Sequence, residues 1–445
     1  MAKLFGTDGV RGVANRKLSP ELALRLGQCH AAYLKTIGHE KPRVLIGSDT
    51  RISSPMLGSA YVSGLSSQGV EAHCLGIVPT PAVAYLTSRG DFQGGVMISA
   101  SHNPVPDNGI KIFGGDGYKL SDQASEAVEA LYFGVPWEGP TGLDIAQPQH
   151  RDDLVGDYLN HLRQVIGDLS GVKVVLDCAF GAGFKVAPEL LKSLGAEVIV
   201  LHAENDGSRI NVNCGSTNLS ALRQAVLEHK AHFGAALDGD ADRCLAVDET
   251  GADVDGDRMM LIFSRWMRGL NQLSNDVVVA TVMSNFGLEK ALAQDGCKLH
   301  RAKVGDRFVL EDMRKLGATL GGEQSGHLIF LEHATTGDGV LCAALLAKRV
   351  KESGQPLSEL SHGFVALPQM LVNVRTDDHG QLELSSIQDS IRASSQQLEG
   401  RGRILVRPSG TEPLIRLMAE GPDHGELHEI LHSLASQFKT SGVGH

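Results

Sequence analysis

Ala235-Ala236-Leu237-Asp238-Gly239-Asp240-Ala241-Asp242-Arg243-Cys244-Leu245-Ala246-Val247 reads as an apolar strand, a dense polar loop and a second apolar strand. In extended backbone, residues at i, i+2 and i+4 project to one side, so Asp238, Asp240 and Asp242 are expected to converge. Three carboxylates held that close repel one another unless a cation lies between them. An all-oxygen donor set suits a hard ion such as Mg²⁺ or Ca²⁺, not zinc. With Glu249 the spacing also fits positions 1, 3, 5 and 12 of an EF-hand loop. The glycine such a loop needs at position 6 is Arg243 here, and the flanks are strands, which argues against that assignment. Apolar runs on both sides argue against simple solvated carboxylates.

Moving outward, the same strand–loop–strand unit recurs twice. Val96-Met97-Ile98 leads into the polar residues 99–108, and 110–113 follow as a strand. Leu320 leads into 321–327, with 328–331 after it. Each unit opens on a short apolar strand: Val44-Leu45-Ile46, Val174-Val175-Leu176 and Val277-Val278-Val279. An Asp-Gly pair, read as a turn, comes soon after each loop: Asp116-Gly117, Asp255-Gly256 and Asp338-Gly339. Apolar strands alternating with helical stretches mark stacked α/β units, here one α/β fold used three times with mixed sheets. Residues 134–149, with three prolines, read as a connector, and a further boundary falls within 354–368. The expected domains are 1–150, 151–253, 254–364 and 365–445. The last is a smaller α+β domain: a strand at 371–374, a helix near 382–398, two strands around 407–413 and a helix over 426–438. That final helix sets Leu427, Ile430, Leu431, Leu434 and Phe438 on one face.

The chain of 445 residues has 42% hydrophobic and 21% charged residues, the balance of a multidomain globular protein. Its 52 glycines imply many tight loops. A formal charge of -11 argues against nucleic acid or an anionic membrane as a partner, yet leaves room for a local basic pocket that takes an anionic small molecule. Seven scattered cysteines with no C-x-x-C read as reduced thiols. The N-terminus has no apolar signal core, and no run approaches the roughly 18 apolar residues that span a bilayer. The expectation is a cytoplasmic protein.

Three further loops carry chemistry. Ser99-Ala100-Ser101-His102-Asn103-Pro104 ends an apolar strand and offers Ser101 as a hydroxyl nucleophile in a turn. From extended backbone, Ser101 and His102 point apart, and no G-x-S-x-G elbow is present, so a Ser-His-Asp hydrolase is disfavoured. Gly322-Glu323-Gln324-Ser325-Gly326-His327 mixes carboxylate, amide, hydroxyl and imidazole, a set suited to a ligand with many hydroxyls. Arg407-Pro408-Ser409-Gly410-Thr411-Glu412-Pro413, with Arg416 behind it, has the groups of a phosphate cradle. Together the four loops supply a nucleophile, a hard-metal site, a hydroxyl clamp and a second phosphate site.

These loops, with Phe5-Gly6-Thr7-Asp8-Gly9-Val10-Arg11-Gly12 ahead of them, occur in an order that resembles the α-D-phosphohexomutase superfamily from residue 5 to about 420. Gln324, Gly410 and the opening motif are most similar to its glucosamine-phosphate branch. The resemblance implies three related α/β domains and a mobile C-terminal domain around a central cleft. It implies a phosphoserine at Ser101, and Mg²⁺ held by Asp238, Asp240 and Asp242 against that group. Arg11, Lys111 and Arg243 would surround the transferring phosphoryl group. Lys111 would assist proton movement if its pKa is lowered; otherwise it is a surface charge on an outer strand. Glu323 and Ser325 would grip sugar hydroxyls, and Lys303 matches another contact. Arg407, Ser409, Gly410 and Thr411 would bind the non-reacting phosphate, with Arg416 in support. His327 is either a proton relay or a packed histidine. The implied intermediate and activator is glucosamine 1,6-bisphosphate, and the first phosphate on Ser101 comes either from a kinase or from self-phosphorylation. Relatives acting on glucose or mannose phosphates, a metal-dependent phosphatase and a non-catalytic sugar-phosphate binder are the alternatives.

Overall fold

The computed structural model describes residues 4–6, 8–134, 138–409 and 413–438. Its first three sheets repeat one plan. A central strand (Arg43–Ser48, Lys173–Asp177 or Val277–Thr281) pairs in parallel on one side with the next strand (Glu71–Ile77, Glu197–Leu201 or Lys298–Ala302). On its other side it pairs in parallel with a third (Gly94–Ile98, Phe233–Leu237 or Leu320–Gly322). The third strand then turns back antiparallel into a fourth (Asp107–Gly114, Cys244–Asp248 or Leu328–Phe330). The expected threefold use of one α/β unit is therefore present, with mixed sheets. The central strands are buried on both faces: Val174, Val175, Leu176, Val278 and Val279 have no exposed surface. That explains their unbroken aliphatic sequence, since helices cover both sides of a parallel sheet.

In each of these three units the polar loop singled out in sequence joins the third strand to the fourth, at the carboxyl end of a parallel strand. Open α/β sheets present their ligand sites at such ends. The first sheet gains an outer antiparallel strand, Val10–Val13, which sets Arg11 opposite Gly109. Two of the three Asp-Gly pairs differ from the turns expected. Asp255 and Asp338 cap the helices Gly256–Gly269 and Gly339–Ser353, their carboxylates accepting from Arg258 N and Leu341 N at 3.0 and 2.8 Å. A side-chain acceptor at a helix start satisfies an otherwise orphaned N–H, so aspartate before glycine serves there as well as in a turn.

One hydrophobic core runs continuously from the first sheet (Leu45, Met97, Phe113) through the second and third units. The fourth sheet, in the order Gln369–Arg375, Leu414–Glu420, Arg403–Pro408, has a core of its own. Its closing helix is His424–Ala435; Leu427, Ile430, Leu431 and Leu434 are buried against the sheet, each contributing about 1.5–3 kcal/mol. Phe438 joins that core just past the helix end. The sheet is tied to the third unit by Arg403 Nη2 to Ser284 O at 2.8 Å and Phe286 N to Glu420 Oε2 at 3.1 Å. All seven cysteines are free. Among the described residues no helix is long and apolar enough to cross a membrane.

Candidate active site

Ser101 is buried and lies in the left-handed region at φ +53°. That turn replaces the extended backbone expected from sequence, and it corrects the inference drawn from it: Oγ lies 3.3 Å from His102 Nδ1. The hydroxyl nonetheless donates to Asp238 Oδ2, at 2.5 Å, and burial with Arg243 and Arg11 nearby pushes the His102 imidazole down to about 4. His102 is thus uncharged, and the serine faces the second loop.

The three aspartates do converge: one oxygen from each of Asp238, Asp240 and Asp242 lies within 4.8 Å of the others. They do so through a turn with Ala241 at φ +56°, not through extended alternation. Neighbours on both sides hold the loop in place. Thr80 N donates to Asp240 O at 2.9 Å, Cys244 N to Gly326 O at 3.0 Å and Gly339 N to Ala241 O at 3.0 Å. Gly239 is required by contact, since a Cβ there would meet Ser101 O at 2.5 Å. Asp240 Oδ1 and Asp242 Oδ1 are buried without a hydrogen-bond partner. Two orphaned carboxylate oxygens in an all-oxygen cluster fit a hard divalent cation. Burial, then Asp242 and Asp240, hold Asp238 well above the usual carboxylate range, which shows how poorly the cluster tolerates a full set of charges on its own.

Lys111 corrects both sequence readings. It is buried, not a surface charge, with Nζ 2.7 Å from Asp240, 3.2 Å from Asp8 and 3.3 Å from Asp242. Burial would lower its pKa, but the three carboxylates outweigh it and the ammonium is held well above its ordinary value. The condition set for proton movement, a lowered pKa, is therefore not met. Arg11 hydrogen-bonds Asp8 and reaches Asn103 Oδ1 at 3.3 Å, while Arg243 lies 4.0 Å from Asp242 and donates its own N–H to Asp238 Oδ1 at 3.2 Å. His327 is buried, 3.7 Å from Asp242 through Nδ1, and its Nε2 accepts from Gly337 N at 3.0 Å. Nε2 also lies 3.6 Å from Asp306; burial would lower the imidazole pKa, but Asp242 and Asp306 outweigh it and hold the ring above its ordinary value. Counting formal charges, Asp8, Asp238, Asp240, Asp242 and Asp306 face Arg11, Lys111, Lys119 and Arg243. On that count the cluster carries one net negative charge, and a divalent cation would leave one net positive charge for an anion to meet.

Glu323 and Ser325 are half-buried and bonded to each other, Ser325 Oγ donating to Glu323 Oε2 at 3.2 Å. Gly305 N donates to Glu323 Oε1 at 3.3 Å, which brings the turn after Lys303 beside the third loop. Lys303 itself is exposed, 5.8 Å from the Phe308 ring. Gln324 is turned to Asp255 Oδ2 at 3.1 Å. Of the fourth loop, Arg407 and Pro408 end the strand Arg403–Pro408 of the fourth sheet and Ser409 follows. Arg407 and Arg416 pair directly across its strands, and Arg407 is pushed below its ordinary value by burial and by Arg416. Ser409 is buried beside them; Gly410 and Thr411 lie outside the described residues.

Several functional neighbours were not singled out from sequence. Thr80 Oγ1 donates to Asp240 Oδ2 at 2.5 Å, and Lys119 bridges Asp8 and Asp306. Asn211 donates to Ser101 O at 2.9 Å. Arg51, fully buried, contacts the whole serine loop. Only the charged residues Asp8 and Arg51 carried a signal, each inside a Gly- or Ser-rich loop next to a strand.

Profiles of the phosphoglucomutase/phosphomannomutase domains match the chain in order: alpha/beta/alpha domain I over residues 2–137, domain II over 156–251, domain III over 255–367 and the C-terminal domain over 371–437. The chain belongs to the phosphoglucomutase/phosphomannomutase family. Among its relatives are the phosphoglucosamine mutases of Heliobacterium modesticaldum, 48% identical with 99% of this chain and 100% of the relative covered, and of Pelotomaculum thermopropionicum, 50% identical with 99% of each covered. A phosphoglucomutase/phosphomannomutase family protein of Burkholderia thailandensis shares the fold with a TM-score of 0.82, at 22% identity over 97% of this chain and 95% of that one. So does the Aspergillus fumigatus N-acetylphosphoglucosamine mutase, solved with GlcNAc-6P and magnesium, with a TM-score of 0.66 at 17% identity over 97% and 95%.

Proposed function

We propose that this protein is a phosphoglucosamine mutase, interconverting glucosamine 6-phosphate and glucosamine 1-phosphate through a phosphorylated Ser101, and so supplying precursors of UDP-N-acetylglucosamine and the cell wall. The observation that carries the reading is Ser101 Oγ, in hydrogen-bond contact with Asp238 inside a buried triad of aspartates with two orphaned oxygens. Relatives of about half-identical sequence over nearly the whole chain carry that name, which favours glucosamine over glucose or mannose phosphates.

Phosphorylated Ser101 gives its phosphoryl group to the free hydroxyl of a sugar monophosphate; the Oγ–P bond breaks as the new O–P bond forms, the hydroxyl proton ends on Ser101 Oγ, and glucosamine 1,6-bisphosphate results. The sugar turns over, its other phosphoryl group returns to Ser101 Oγ, and no free phosphate forms. Asp238, Asp240 and Asp242, with an oxygen on Ser101, would hold Mg²⁺. That ion supplies charge neutralisation at the phosphoryl oxygens. Arg11, Lys111 and Arg243 provide fixed positive charge around the group in transfer. Glu323 and Ser325 bind sugar hydroxyls in either orientation, and Lys303 approaches from the adjoining turn. Arg407, Ser409, Gly410, Thr411 and Arg416 hold the phosphate that is not reacting. Water is excluded by closing the fourth domain over the sugar. The same reading divides the chain at residues 150, 253 and 364.

The test is turnover of glucosamine 6-phosphate with Mg²⁺ and a trace of sugar bisphosphate, beside glucose and mannose phosphates, with Ser101→Ala as control. Glucosamine turnover lost in the variant supports the reading. Faster turnover of glucose or mannose phosphate overturns the substrate, and stoichiometric release of free phosphate makes the protein a phosphatase. Binding without turnover of any sugar phosphate by Ser101-phosphorylated protein refutes catalysis.

A further inference from the structure

Arg51 follows the strand Arg43–Ser48 in the stretch Ser48-Asp49-Thr50-Arg51, and its side chain is wholly enclosed. Nothing in the proposed chemistry uses it, yet it spends its full donor capacity on one loop. Nε bonds Asp49 Oδ2 at 3.0 Å. Nη1 donates to the carbonyls of Pro104 and Asp107 at 2.7 and 2.9 Å. Nη2 donates to those of Ser101 and Asn103 at 2.9 and 2.7 Å. A guanidinium has five N–H donors in a rigid planar fork, and here all five are taken. Asp49 completes the device: it accepts Ser99 Oγ at 2.6 Å, and Ser99 Oγ in turn accepts Ser101 N–H at 2.9 Å. Both backbone polar groups of Ser101 are therefore held by one buried ion pair, the carbonyl directly and the N–H through Ser99.

The conformation so held is an uncommon one. Ser101 sits at φ +53°, a region non-glycine residues occupy at an energetic cost and keep only when their surroundings impose it. In extended backbone its side chain would point elsewhere; in this one Oγ meets Asp238.

We propose that Arg51 is a positioning residue that, with Asp49, imposes the left-handed conformation of Ser101 and so aims Oγ at the aspartate cluster. The inference rests on the reading of Ser101 as phosphoryl carrier. Lysine at this position keeps the charge but offers three donors from one atom in place of the planar fork, so it cannot hold four carbonyls at once.

The experiment compares Arg51→Lys and Ser99→Ala with wild type in mutase kinetics, and in hydrogen exchange of the peptide covering residues 99–108. A shift of about 1 Å in a reacting group costs about 10²-fold in rate. The expected result for Arg51→Lys is a kcat about 10²-fold lower with KM within a few-fold of wild type. Exchange protection is lost over 99–108 while the strands 43–48 and 94–98 keep theirs. Ser99→Ala, a minor cut, gives a smaller fall with the same signature, and decides the matter if Arg51→Lys does not fold. Wild-type kcat in folded variants overturns the proposal. So does protection lost evenly across the first sheet, with activity tracking the unfolded fraction. If wild type turns over no sugar phosphate, the functional reading fails and exchange alone decides: a change confined to 99–108 upholds the positioning role, and no change refutes it.

Discussion

Replacing Lys111 with methionine keeps the length of the side chain and removes its charge from among three carboxylates. Each contact of Nζ, to Asp240 at 2.7 Å, Asp8 at 3.2 Å and Asp242 at 3.3 Å, is worth about 5–6 kcal/mol at an effective dielectric constant of about 20. Most of that gross attraction offsets the cost of burying the ions. What remains to be lost is the penalty of leaving buried carboxylates unpaired, about 3–5 kcal/mol. At about 2–4 °C per kcal/mol for units of this size, the transition of the first three units should fall by about 10 °C in chelator. Mg²⁺ should recover part of the loss, because a ligand at 100 times its dissociation constant adds about 2.7 kcal/mol. The assay is differential scanning calorimetry of wild type and Lys111→Met, each with EDTA and with Mg²⁺. A variant that melts within about 2 °C of wild type in EDTA would refute the reasoning, because the ammonium would then not be offsetting buried charge.

Asp257, buried at the start of the helix Gly256–Gly269, is pushed up to about 7 by burial and by Asp255. A carboxyl with a raised folded pKa binds more protons folded than unfolded, so wild-type stability falls as pH rises from about 4 to about 7. Asp257→Asn cannot ionise and should gain on wild type across that window, read as urea midpoints at pH 5 and pH 8; a gap that narrows as pH rises would be the wrong sign. Arg407→Ala removes one of two like charges facing each other across the fourth sheet, a pair that costs about 0.2–1 kcal/mol, so the unliganded domain should hold or gain stability. Its KM for the phosphosugar should rise about tenfold or more, since a charge-assisted bond to phosphate is worth about 1.5–3 kcal/mol. An unchanged KM would remove Arg407 from the phosphate site.

Most of the architecture was legible because it rests on pattern. Val44–Ile46, Val174–Leu176 and Val277–Val279 are aliphatic without interruption because both faces of a parallel strand are covered, and that is visible in a single sequence. The polar loops were legible for a related reason: a dense run of Asp, Ser, Gly and Asn between two buried strands has no structural use unless it meets a ligand. Less visible were local backbone choices. The αL residues Ser101 and Ala241 look like any residue of an extended loop, and reading them as extended put His102 in the wrong direction and gave the right aspartate cluster for the wrong reason. Asp255 and Asp338 looked like turn residues because a helix cap and a turn draw on the same side chain.

Charge state is where sequence reasoning failed most clearly, and Lys111 shows why. A buried lysine alone loses its proton readily, so a buried lysine in a reactive loop invites a role in proton transfer. Whether burial or attraction wins depends on how many carboxylates reach Nζ, and those come from residue 8 and from residues 240 and 242, two segments more than 200 residues apart in sequence. No local window of sequence contains that sum. His327 follows the same logic: burial alone would lower its pKa, yet Asp242 and Asp306, on different segments, hold it above the ordinary value. The residues proposed to meet phosphate can be read from their chemistry, while the protonation state each holds is a property of the assembled cluster. A variant such as Lys111→Met, which alters one member, should therefore shift the charge of the others, and its effect on Asp8 and Asp242 will exceed what any pairwise contact suggests.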